Sequence, residues 1–153
     1  MKFEHSARIP ASREKVWAVL MDVPKVATCV PGVEGVQPLG NDIWRGTLKV
    51  RVGPIGLALN GDVSITQKDE QAGTASMKAD AADRKVGGMV NATMHMKLDP
   101  VGDGSETDLK ILTDAQVGGR IGEFGQPIIK KKADQIMQEF ARNVSKAAQE
   151  TPA

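Results

Sequence analysis

A chain of 153 residues, 41% hydrophobic and 25% charged, is sized for one globular domain with a real core, which excludes a disordered or fibrous chain. Twenty Lys and Arg against nineteen Asp and Glu leave a formal charge of +1, too weak a field to hold nucleic acid. No apolar run approaches the roughly 18 residues of a membrane span, the start MKFEHSARIP has no signal-peptide core, and the lone Cys29 allows no internal disulfide, so the expected setting is soluble and cytoplasmic.

Along the chain, Phe3, His5, Ala7 and Ile9 alternate with Lys2, Glu4, Ser6 and Arg8, which predicts a half-buried strand ended by Pro10. Ser12 is placed to cap a short helix through Val16, Trp17 and Leu20. Pro24 stops it, and a second short turn carries Val26 and Ala27 to Cys29, Val30, Pro31 and Gly32. From Val33 the pattern is of period two. Val33 to Leu39 and Ile43 to Val52 flank a turn at Gly40-Asn41-Asp42, with Trp44, Leu48, Val50 and Val52 inward. After Gly53-Pro54, the residues Ile55, Leu57, Leu59, Gly61, Val63 and Ile65 hold one parity. Ala75, Met77 and Ala79 define a fifth strand, Val90, Ala92, Met94, Met96 and Leu98 a sixth, and Leu109, Ile111, Ala115 and Val117 a seventh. The apolar residues from Ile121 to Val144 then recur at steps of three and four, predicting one long amphipathic helix over Gly119 to Gln149. Residues 1–149 read as a single domain and 150–153 as a loose tail.

A sheet dry on one face needs a cover, and the terminal helix is the element long enough to supply it. This order, α+β with a seven-stranded antiparallel sheet and two short helices between strands one and two, resembles the START-like helix-grip fold of the polyketide cyclase superfamily. There a curved sheet wraps the C-terminal helix around a cavity. Within that superfamily the chain resembles the CoxG family of carbon monoxide dehydrogenase subunits. The match rests on Val16-Trp17 followed by Asp22, the Val30-Pro31-Gly32 turn, the Val52-Gly53-Pro54-Ile55 hairpin and Gly61. It continues through Val117-Gly118-Gly119-Arg120-Ile121, Phe124-Gly125 and Phe140. Longer members of the family the chain resembles can carry a linker and a further membrane-directed segment after the helix.

The resemblance implies a non-catalytic binding protein with an apolar cavity for a lipid-like ligand such as a quinone, accessory to a molybdenum-containing dehydrogenase as quinone carrier or membrane anchor. It further implies transient contact with the inner face of the membrane. A bound quinone or lipid is the only expected cofactor. Composition agrees with a hollow interior: aromatics are 3% with no Tyr, against 16 Gly and 7 Met, so rigid ring anchors are few. The residues expected to line the cavity are Trp44, Leu48, Leu59, Met77, Met94, Ile111, Phe124, Ile128 and Ile136. An enzyme of the cyclase or hydratase kind, or an assembly factor with a filled core, are the alternatives.

Catalytic and metal-binding candidates are few. Parity puts His5 on the dry face, where an imidazole needs a partner: either a core histidine with a backbone acceptor or a polar group of the cavity. His95 falls on the wet face, and Cys29 has neither a histidine neighbour nor a paired carboxylate, so it reads as a small buried apolar residue. Two His and one Cys cannot assemble a usual zinc site. The spacing of Gly118, Gly119, Gly122 and Gly125 fits no phosphate loop and points to close backbone packing. Lys130-Lys131-Lys132 spans most of a helical turn and is read as a solvated face, or as a contact for anionic lipid or an acidic partner. Pro127 interrupts the helical periodicity, so the helix should bend or begin there. The segment Gly118 to Gln126 is then a mobile gate or a static loop.

Overall fold

A computed structural model of the chain describes residues 1–151. Strand β1 (Lys2–Ile9) leads into α1 (Arg13–Met21) and α2 (Val23–Ala27), followed by β2 (Val33–Gly40), β3 (Ile43–Val52), β4 (Ile55–Asp69), β5 (Thr74–Asp83), β6 (Gly88–Val101) and β7 (Glu106–Gly118). The chain closes with α3 (Gly119–Gly122) and α4 (Gln126–Gln149). The strands form one curved antiparallel sheet in the order β1-β7-β6-β5-β4-β3-β2, a meander in which only β1 pairs out of sequence.

Local chemistry sets the boundaries. The Ser12 side chain accepts the Lys15 N–H at the start of α1, and Asp22 does the same for Lys25 at α2. Pro24 therefore opens α2 as well as closing α1. Asn41 and Asp42 both take left-handed backbone, φ 55° and 58°, the pair of values that lets a two-residue hairpin follow the right-handed twist of β2 and β3.

Of the two outcomes expected at Pro127, a bend or a start, the structure has a start, so the stretch read as one helix from Gly119 is two. Gly125 has φ 88° and caps α4, whose first turn contains Pro127. Proline fits there because the N–H it lacks is one a first turn leaves unpaired anyway, whereas in the middle of a helix it would cost a bond and a clash. The 24 residues of α4 make a rod about 36 Å long. The expected tail falls partly beyond the described residues, which exclude Pro152 and Ala153. Thr151 donates from N to Ala148 O at 3.2 Å and from Oγ1 to Ala147 O at 2.9 Å.

Apolar packing concentrates at the two ends of the sheet. At one end, Ile9, Leu98 and Leu109 of the sheet meet Val16 and Val19 of α1 and Phe140, Val144 and Ala148 of α4. At the other, Ile121 of α3 packs with Val52, Leu57 and Leu59. Here glycine permits a close approach: Gly119 has φ 65°, and a Cβ on it would lie 2.7 Å from Gly87 O. The glycine-rich stretch is thus a backbone contact against the start of β6.

Candidate functional site

Between those two packed ends lies the middle of the concave face, and register shows what occupies it. Trp44, Val63, Ala79, Ala92 and Ala115 stand side by side across β3 to β7. The adjacent row is Ile65, Met77, Met94, Thr113 and Phe3, from β4 to β7 and on to β1. Of these ten side chains nine are only half-buried, Ala115 being the exception. Eight of the nine are apolar, so nearly all of this strip is oil-like surface left partly open. Three of the five positions in the first row are alanines, whose short side chains fill little space. On α4 the facing half is loose too: Ile129, Ala133 and Ile136 are half-buried and Ile128 is 52% exposed.

At the β1 edge of this strip a hollow of about 300 Å³ opens between β1, β7 and α4, lined by His5, Ala7, Leu109, Ile111, Met137 and Phe140 among others. His5 is the polar group of interest. Its Nε2 lies 2.7 Å from Asp134 Oδ1 on α4, and the imidazole is 19% exposed. Because a carboxylate only accepts, Nε2 is the protonated nitrogen that donates. Nδ1 is buried and, among the described residues, is the one buried side-chain N or O without a partner. The ring lies near parallel to Phe3, 14° between planes with centroids 6.3 Å apart. The expected backbone acceptor is thus replaced by a carboxylate, and the ring is only half satisfied. Sequence could not pair His5 with Asp134, since 129 positions separate them.

The nine residues expected around a cavity separate by location. Trp44, Met77 and Met94 stand in the half-open rows, and on α4 Ile136 is half-buried and Ile128 exposed. Ile111 is buried in the first core and Leu59 in the second, with Leu48 and Phe124 packed against the latter. Phe3, Thr113, Met137 and Phe140 join the strip and hollow without having been expected there. For Phe3 and Thr113 the signal was available in principle, but only once β1 is known to pair with β7.

Other candidates resolve simply. His95 is exposed and shares a 2.7 Å hydrogen bond with Ser76 Oγ. Cys29 is 3% exposed, burial pushes its thiol pKa up, and a thiol held protonated is a poor nucleophile. Lys130 and Lys131 are exposed, Lys132 is half-buried, and none of the three forms an ion pair among the described residues. No helix among the described residues is long and apolar enough to cross a membrane.

Comparison with known proteins agrees with the fold. The family model for CoxG, a subunit of carbon monoxide dehydrogenase, matches residues 6–149. No curated protein matches. Among solved structures, a conserved protein from Geobacillus kaustophilus is 21% identical at a TM-score of 0.89, covering 97% of this chain and 95% of that one. The Zhui aromatase/cyclase from Streptomyces sp. R1128 is 17% identical at 0.71, covering 97% and 93%. A START superfamily protein from Mycobacterium smegmatis is 12% identical at 0.70, covering 97% of each. At these identities the likeness is one of architecture.

Proposed function

We propose, given that the chain belongs to the CoxG family of carbon monoxide dehydrogenase subunits, that it is a non-catalytic carrier. Its cargo is a lipid-like molecule such as a quinone, held between the sheet and α4. The observation that carries this reading is the half-open apolar strip under the N-terminal half of α4. Contact area, not a set of directed hydrogen bonds, would hold such a ligand, because Thr113 is the one polar side chain in the two rows. The family name supports service to a carbon monoxide dehydrogenase, with the carrier moving quinone between that enzyme and the membrane or tethering the enzyme there. Titration with a menaquinone analogue should quench Trp44 in a Trp17→Phe background with micromolar midpoint. A protein that ignores quinones and fatty acids alike across that range is not a carrier.

One observation favours a second reading. A histidine whose Nε2 is held by a carboxylate at the edge of a hollow has the arrangement of a general base, and the Zhui aromatase/cyclase shares the architecture. On that reading His5→Ala leaves a stable protein that loses turnover. On the carrier reading, His5→Ala lowers stability modestly by removing a largely covered ring that lies beside Phe3, since Asp134 is 59% exposed and is rehydrated, and it barely alters binding of an apolar ligand.

A further inference from the structure

A second hollow, about 920 Å³, opens mainly on the polar face of the sheet, lined by Lys49, Arg51, Gly56, Leu57, Arg84 and Val86 among others. It exists because β4 and β5 part company. Their pairing stops at Asn60 and Ala82, leaving residues 55–59 of β4 with no strand on that side. The Asp83 carboxylate repairs one position, accepting the Ala58 N–H at 2.8 Å. That bond shows which way the strand faces. Ala58 points its N–H toward the gap, and so, two residues away, does Gly56. Nothing fills the space over Gly56: a Cβ there would meet only the Arg51 guanidinium, at 4.0 Å.

The charges around this free donor are mostly positive, Asp83 being the one acid in the lining. Lys49 is engaged by Glu34 at 3.1 Å, but Arg51, Arg84 and Lys85 form no ion pair among the described residues. Asp83, the acid within the lining, is already occupied by the N–H groups of Ala58, Lys85 and Val86. Beneath the charged rim lie Val50, Leu57 and Val86, which pack on the second core.

We propose that this gap is a second binding site, distinct from the sheet and helix hollow, for a small molecule joining an anionic head to an apolar body. The head is a phosphomonoester or carboxylate received by the Gly56 N–H, Arg51, Arg84 and Lys85. An oriented backbone donor beside a guanidinium group is a strong anion receptor, and the apolar floor gives the rest of the molecule a surface to cover.

Phenyl phosphate tests it by amide NMR. The Gly56, Leu57 and Lys85 signals should shift and saturate at lower concentration than with inorganic phosphate. Affinity should fall about tenfold in Arg84→Gln/Lys85→Gln and vanish in Gly56→Val, whose side chain has room to fold but fills the gap. Vesicles containing phosphatidic acid separate the sources of the head. Binding lost in the same variants assigns a lipid headgroup, and binding of phenyl phosphate alone assigns a soluble ligand. Absence of the Gly56 shift, equal affinity in the double variant, or vesicle binding without phenyl phosphate binding overturns the site.

Discussion

Asp83 is 6% exposed, yet its carboxyl is held below the usual carboxylate range by the N–H groups of Val86, Ala58 and Lys85. A group whose pKa is depressed by folding stabilises the protein above its unfolded value, and that contribution disappears as pH falls through the folded one. The window therefore lies below about pH 4, the ordinary value for aspartate. Asp83→Asn should melt at a lower temperature than the parent at pH 7. The gap between the two should close as pH falls below about 4. Thermal melts of both proteins from pH 7 downward check this, and a gap that stays constant with pH would contradict it. Because Asp62 and Asp108 are likewise held low, by Arg45 and Arg8, the difference between the two proteins isolates Asp83.

The two halves of α4 carry different duties. From Phe140 to Ala148 the helix buries Phe140, Val144 and Ala148 against α1 and the sheet, while at its start Ile128 stands 52% exposed. Phe140→Ala removes a ring from a packed site and should cost about 3–5 kcal/mol. Ile128→Ala should change stability by less than about 0.5 kcal/mol. Chemical denaturation of both variants separates them, and equal losses would mean that α4 is clamped evenly along its length. If Ile128 also covers a bound quinone analogue, its substitution weakens that binding without moving the denaturation midpoint.

At the scale of the whole molecule, two cores lie at opposite ends of one sheet with a half-open strip between them. The glycine-flanked α3 joins the sheet to the start of α4. Local opening is expected where apolar burial is least. Hydrogen exchange should be slow in the central pairs of β6 and β7 and in α4 beyond Phe140, and fast from Gly122 to Ile129. Saturating menaquinone analogue should slow the fast set if that segment gates the strip. Exchange there that ignores the ligand would make the break between α3 and α4 a static loop.

The strands, their inward faces and the two short helices are legible from the sequence because each follows from a local period or cap: Leu109, Ile111 and Ala115 alternate, and Ser12 and Asp22 cap. Those rules act over a few residues, and the chain obeys them nearly everywhere. The break at Gly125 is local as well, and Pro127 marks it, although apolar periodicity through Ile121 and Phe124 runs across it. What tertiary structure alone decides is which inward residues are covered. Leu59, Met77 and Ile111 share one pattern, yet Leu59 and Ile111 are buried and Met77 is half-open, because α3 and the far half of α4 press on the ends of the sheet and leave its middle half-covered. The pairing of His5 with Asp134 and the gap over Gly56 have the same origin, since each joins segments that no local period connects.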